Sequence, residues 1–318
     1  MTEKQINKWL RRQFSPIGWG LVGYYVLMNV VVTAAMTVDM LGQSMNAILA
    51  GDFGMELDMD ALMSNGWGYI VATIAGLLIL HAWKGPDFFR QEILAKERTM
   101  QPGVFFGLLA LCLGSQMANS LWISLLETVL NVFDISALGI LESVSGSTES
   151  FSMFLYASIL APIAEELLFR GYILRSLRPY GKRFAILGSA VLFGLFHGNL
   201  LQTPYALLVG LVLGYVAVEY SVVWAAALHL FNNLVVADLL SRLTAPLPEM
   251  AASVISLAVI GAGAIASVVI LIRNRQAIRD YRSSEWIDRR CVKWFFLNSG
   301  IIALMILMFG NMLLMLNV

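Results

Sequence analysis

Residues 251–272 read AASVISLAVIGAGAIASVVILI, a run without a charged side chain that ends at Arg273. A helix rises about 1.5 Å per residue, so roughly 20 apolar residues cross a hydrocarbon core about 30 Å thick. The same reading applies along most of the chain. Gly18–Val38, Val104–Leu126 and Trp294–Val318 are also uncharged, and Trp67–Trp83 contains only His81. Ser152–Phe169 holds Glu165 and Glu166, Phe184–Leu201 holds His197, and Val222–Leu240 holds His229 and Asp238. Tyr205–Val218 is short for a span and requires a locally thinned bilayer or a helix continuing past Glu219. About nine transmembrane helices are expected, an all-α polytopic membrane bundle.

Composition agrees. Hydrophobic residues make up 58% of the 318 and charged residues 13%, against about 25% in a soluble domain; mean hydropathy is +0.74. Lys and Arg number 21, as do Asp and Glu, so no net field attracts phosphates and a nucleic-acid partner is excluded. Two cysteines, Cys112 in a span and Cys291 in a loop, exclude a disulfide scaffold. No loop is long enough for a substantial soluble domain, so function has to reside in the membrane.

With the N-terminus inside and the chain alternating, Arg242 is the one basic residue left outside. The outer loops are acidic: Asp39, Asp52, Glu56, Asp58 and Asp60 in one, and Glu127, Asp134, Glu142 and Glu149 in another. The positive-inside bias orients membrane proteins, so the N-terminus is expected inside and the C-terminus outside. The basic start and its long apolar run read as a retained first helix, not a cleavable signal peptide. An integral multi-pass protein of a bacterial plasma membrane is expected, with the lipid bilayer as its surroundings.

A charge at the bilayer centre costs at least about 2.5–3.5 kcal/mol, so each intramembrane ionisable residue needs a reason. Apart from His81, they fall between 165 and 238. In APIAEELLFRG, residues 161–171, Glu166 and Arg170 are spaced i,i+4 and stack on one helix face. Glu165 points about 100° away and cannot share Arg170 equally. Glu166 and Arg170 read first as a helix-anchoring ion pair. Glu165 is left unexplained by that reading and is the candidate general base or acid.

In FGLFHG, His197 lies between Gly194 and Gly198, a GxxxG spacing that allows another backbone to approach. In HLFNN, His229 and Asn233 share a face and Asn232 does not. A lone histidine on an apolar helix is more often a hydrogen-bonded core residue. A carboxylate and two histidines on neighbouring spans favour a site. Glu165 and His197 reach similar depth if the fourth helix continues to about Arg178 and turns at Tyr180-Gly181. His229 then lies close after an inner turn near Ser221, which would have to sit deep. A site approached from the cytoplasmic half of the bilayer follows.

These three motifs in this order, EExxxR at Glu165–Arg170, FxxxH at Phe193–His197 and HxxxN at His229–Asn233, resemble the CAAX protease and bacteriocin-processing (CPBP, or Abi) family. The resemblance covers roughly residues 150–240. It implies an intramembrane endopeptidase acting on a membrane-associated peptide or protein. It implies catalytic roles for Glu165, His197, His229 and Asn233: Glu165 activates water with help from His197, and His229 and Asn233 orient that water or donate to the oxyanion. Glu166, Arg170 and Phe193 would hold these groups in place. The residue types agree, since a carboxylate, imidazoles and an amide form a hydrolytic set without a Ser or Cys nucleophile.

No HExxH zinc signature is present, and no tightly bound metal is expected. If zinc or another divalent metal is used, its ligands would be His197, His229 and Glu165. Three segments are expected: N-terminal helices in 1–150, a catalytic helical core in 151–240 and a C-terminal helical hairpin in 241–318. Two other readings stay open. Buried Glu, His and Asp also serve ion- or proton-coupled transporters, and a fold can persist as an inactive immunity or scaffold protein.

Overall fold

The computed structural model describes residues 2–52, 54, 56–133, 135–136, 150–284 and 287–315. Asp134, Glu142, Glu149 and the last three positions of the expected ninth span lie outside these. Among the described residues there is no strand, and the chain is all helical. Nine principal helices follow one another: α1 Glu3–Ala50, α2 Trp67–Lys84, α3 Pro102–Leu130, α4 Phe151–Tyr180, α5 Lys182–Phe196, α6 Thr203–Glu219, α7 Val222–Thr244, α8 Glu249–Arg273 and α9 Ser299–Met315.

Each expected span has its helix, but they are not nine equal spans. Among the described residues, six helices are long and apolar enough to cross a membrane, and seven if α9 is joined to Arg289–Phe296, from which it is bent by 58°. The other two, α5 with 15 residues and α6 with 17, are short. At 1.5 Å per residue they extend only about 23 and 26 Å. They form a hairpin whose close contact depends on small residues. A Cβ on Gly194 would stand 2.9 Å from the Thr203 carbonyl oxygen, and one on Gly210 would stand 3.2 Å from Ala190. The GxxxG reading around His197 is corrected here. Gly194 is a helical contact, whereas Gly198 lies beyond the helix end in the left-handed region at φ 65°, a conformation glycine adopts without penalty.

Helix α1 departs in the other direction, running 48 residues where 21 were expected. Its first turns lie outside the expected span and bury Leu10, Phe14 and Ile17. Phe14 meets Tyr180, Phe184 and Phe295 edge-on at 5.0–6.1 Å. Further along, Gly18 and Gly300 let the backbones of α1 and α9 touch. Helix α8 packs on α3, where Ser267 donates to the Ala110 carbonyl at 2.9 Å. The last two principal helices, expected as a hairpin, thus take different neighbours.

The continuation of the fourth helix is as expected: α4 runs to Tyr180, and Gly181 turns the chain at φ 116°. The loops at this end of the bundle interlock. Arg178 meets Glu97 at 2.9 Å, and Lys182 and Arg98 meet Glu219 at 3.1 and 3.7 Å. The Glu97 amide donates to the Tyr220 carbonyl at 2.8 Å. The Arg178 hydrogen bond holds the Glu97 carboxyl below the usual range. Ser221, at the turn that follows Tyr220, is buried within the protein. At the opposite end, Asn65 donates to Asp39 at 2.6 Å and the Gly66 amide to Ser152 at 2.9 Å.

Candidate active site

The site grows from the middle of α4. This helix widens locally to π-helical turns at Leu155–Leu160 and Leu167–Leu174, and α7 does so at Asn232–Leu239. Such turns free carbonyls from the regular ladder and recur at functional sites. One of them has a visible partner: the Ser189 hydroxyl on α5 donates to the Phe169 carbonyl at 2.9 Å. The two glutamates stand just ahead of the second widened turn.

Glu166 is fully buried and Oε1 is shared. It accepts from Arg170 Nη1 at 2.7 Å and meets His229 Nδ1 at 2.9 Å. Arg170, also fully buried, donates from Nη2 to the Gly210 carbonyl at 3.3 Å and lies over the Phe193 ring at 4.2 Å. The intrahelical pair read from the spacing is therefore present. It extends to His229, 63 residues away in the chain. A carboxylate can only accept, so Nδ1 of His229 carries the proton and Nε2 is free for chemistry.

Glu165 has another environment. Its side chain is 31% exposed while that of Glu166 is not exposed at all, and its Oε2 stands 3.9 Å from His229 Nε2. It also lines a small cavity of about 40 Å³ with Tyr24, Thr73 and Tyr156. Tyr24 and Leu168 are shared with an apolar cleft of about 540 Å³ between α1, α2 and α4.

His197 caps the end of α5, and its Nδ1 meets the Phe193 carbonyl at 2.9 Å. That carbonyl also fixes the proton on Nδ1. Both imidazoles pack edge-on against Phe193, His197 at 4.9 Å and His229 at 5.8 Å. Among the described residues, His197 makes no hydrogen bond to either glutamate. Asn233 Nδ2 reaches the Ala157 carbonyl at 3.5 Å, a long contact that leaves this donor loosely held. Its Oδ1 accepts from Asn232 at 3.3 Å, and Asn232 donates to the Tyr205 hydroxyl at 2.9 Å. Asn232 and Tyr205 were not singled out in the sequence: one was read as off the shared face and the other as an ordinary span residue.

The structure thus gathers Glu165, Glu166, Arg170 and His229 directly, with Phe193 linking His197 to them. Among the described residues, no three His, Cys, Asp or Glu side chains converge as a metal-ligand set. The conditional set Glu165, His197 and His229 does not fit a three-ligand site. Asp238 pairs with Arg242 at 2.9 Å on its own helix. The two thiols, Cys112 and Cys291, are buried and free.

Residues 147–235 match the family model described as type II CAAX prenyl endopeptidase Rce1-like. The matched segment spans α4, α5 and α6 and the start of α7, and contains all three motifs. Over that segment the resemblance drawn from them is borne out. No curated protein and no solved structure matches the chain.

Proposed function

We propose that the protein is an intramembrane endopeptidase in which Glu165 activates the attacking water. The observation that carries this reading is the contrast between the two neighbouring glutamates. Glu166 is committed to Arg170 and His229, whereas Glu165 is partly exposed, unpaired by any cation closer than the 3.9 Å to His229, and borders a cavity. One carboxylate is built in and the other remains available for proton transfer.

In the proposed reaction Glu165 takes a proton from water as its oxygen bonds to the scissile carbonyl carbon. Asn233 Nδ2 donates to the oxyanion that results, and His229, with Nε2 free to accept, orients the water. Such a donor acts on charge that appears only in the transition state. The tetrahedral intermediate then collapses, the C–N bond breaks, and the proton held by Glu165 passes to the leaving amine. His197, with Nε2 free, assists in holding the water. Glu166, Arg170 and Phe193 keep both imidazoles oriented.

The substrate is a peptide or protein with a membrane-associated segment, and the apolar cleft that shares Tyr24 and Leu168 with the cavity at Glu165 suits such a segment. The basic end of the bundle faces the cytoplasm, in a bacterial plasma membrane, and the site is reached from that half. The relay of a transporter finds less support, because Asp238 is satisfied by Arg242 and does not extend the Glu–His cluster.

Two measurements test the reading. Membrane proteomes of cells carrying the wild type and Glu165→Ala should differ by proteins that accumulate uncut in the variant. Purified wild type should also cleave a prenylated peptide ending in a CAAX sequence, and Glu165→Gln should not, while remaining folded. Cleavage that survives Glu165→Gln would sink the proposal.

A further inference from the structure

The helices outside the matched segment have so far been given no part in the chemistry. We infer that α1 and α2 complete the active site by supplying hydroxyl groups that hold the attacking water against Glu165; this rests on the proteolytic reading above. The small cavity beside Glu165 is walled on the α4 side by Tyr156 and Leu168, and on the facing side by Tyr24 of α1 and Thr73 of α2. At about 40 Å³ it exceeds the roughly 10–15 Å³ needed by one water, and a buried water also needs two to four polar partners. Glu165 and the three hydroxyls provide them.

Several features of α1 and α2 serve this arrangement. Thr73 is buried, and its hydroxyl donates weakly to the Met28 sulfur at 3.8 Å. Thr73 is the polar neighbour of both Tyr24 and Tyr156. Tyr69 of α2 stacks on Tyr156 at 5.0 Å and fixes its ring. Gly76, one turn beyond Thr73, leaves room for the Tyr24 ring, which a Cβ at that position would strike. Three hydroxyl-bearing side chains and one carboxylate line a single small cavity whose other walls are apolar, and no packing need explains them. Valine and phenylalanine would fill the same space.

The chemistry assigns distinct parts. Glu165 accepts the proton, and the hydroxyls hold the water oxygen in line with the substrate carbonyl. They are positioning groups for Glu165 and its water, and they act before any charge develops on the substrate.

The test uses the full-length protein in lipid nanodiscs and the prenylated CAAX peptide as probe. Thr73→Val, Tyr24→Phe and Tyr156→Phe should each lower kcat by about 10- to 100-fold, because misplacing a reactant by about 1 Å costs that order. KM should change less than about threefold. Thr73→Ser should restore most of the loss, which a role in packing alone would not produce. Full kcat in all three variants, with Glu165→Gln inactive, overturns the water site and leaves the protease reading in place. A loss shared by Thr73→Ser, or confined to KM, also overturns it. Wild type that fails to cleave, together with unchanged proteomes on Glu165→Ala, overturns both.

Discussion

Glu165 and Glu166 are neighbours in the chain, yet their surroundings set them apart, and substitution should reveal this. Breaking a buried ion pair by removing one partner typically costs about 3–5 kcal/mol, because a charge is left uncompensated. Arg170→Met, which leaves Glu166 buried between His229 and a methionine, should therefore lower thermal stability markedly in detergent. Glu165→Gln should change it by less than about 1 kcal/mol, since this side chain is partly exposed and lacks a close cation. Equal losses in the two variants would show that the division of labour is wrong. Half of this site was legible in the sequence. The i,i+4 spacing of Glu166 and Arg170 is a local geometric fact, and the structure realises it at 2.7 Å. The bond from Glu166 to His229 was not legible, because nothing in the spacing of residues 63 apart says which face of α7 meets α4. Tyr24 and Thr73 left no signal either. A hydroxyl within an apolar span is unremarkable until the fold places a carboxylate opposite it.

At the scale of elements, apolar runs located every principal helix but misjudged their lengths. Hydropathy records where water is excluded and not where the hydrogen-bond ladder ends. In α1 the ladder continues past both boundaries of the apolar run, and before the first of them Leu10, Phe14 and Ile17 are buried beyond the expected span. In α5 it stops at Phe196, and the signals were a left-handed glycine at Gly198 and Pro204 at the start of α6. The crossing of α1 and α9 gives a prediction of its own. A Cβ on Gly18 would stand 2.5 Å from the carbonyl carbon of Gly300 and would touch Ile301 as well. Backbone cannot give way as a side chain can, so Gly18→Val should cost at least the 1–3 kcal/mol typical of overpacking. Gly261→Val, with open space around its Cβ, should leave the melting temperature unchanged. A thermal shift common to both would indicate a general effect of the larger side chain and not the helix crossing.

For the whole molecule, the question is which end faces the cytoplasm. The loops that carry most of the basic residues interlock at one end: Arg178 with Glu97, Lys182 and Arg98 with Glu219, and the Arg183 guanidinium with the Arg282 carbonyl at 3.2 Å. The N-terminus joins them, since Trp294 donates to Asn7 at 2.7 Å and lies 4.0 Å beneath the Arg11 guanidinium. These contacts bring the basic loops to one end of the bundle, although among the described residues only six or seven helices are long and apolar enough to cross a membrane. Orientation is a separate matter, since packing is the same whichever way the bundle is inserted. The positive-inside bias supplies the missing term by favouring the basic end inside. The prediction is therefore directional. In intact cells, a membrane-impermeant maleimide should label Asp52→Cys at the acidic end at once and Lys96→Cys only after permeabilisation, both in a Cys291→Ser background. The reverse pattern would place Glu165 nearer the outer half of the bilayer, and the substrate would then have to arrive from the outside.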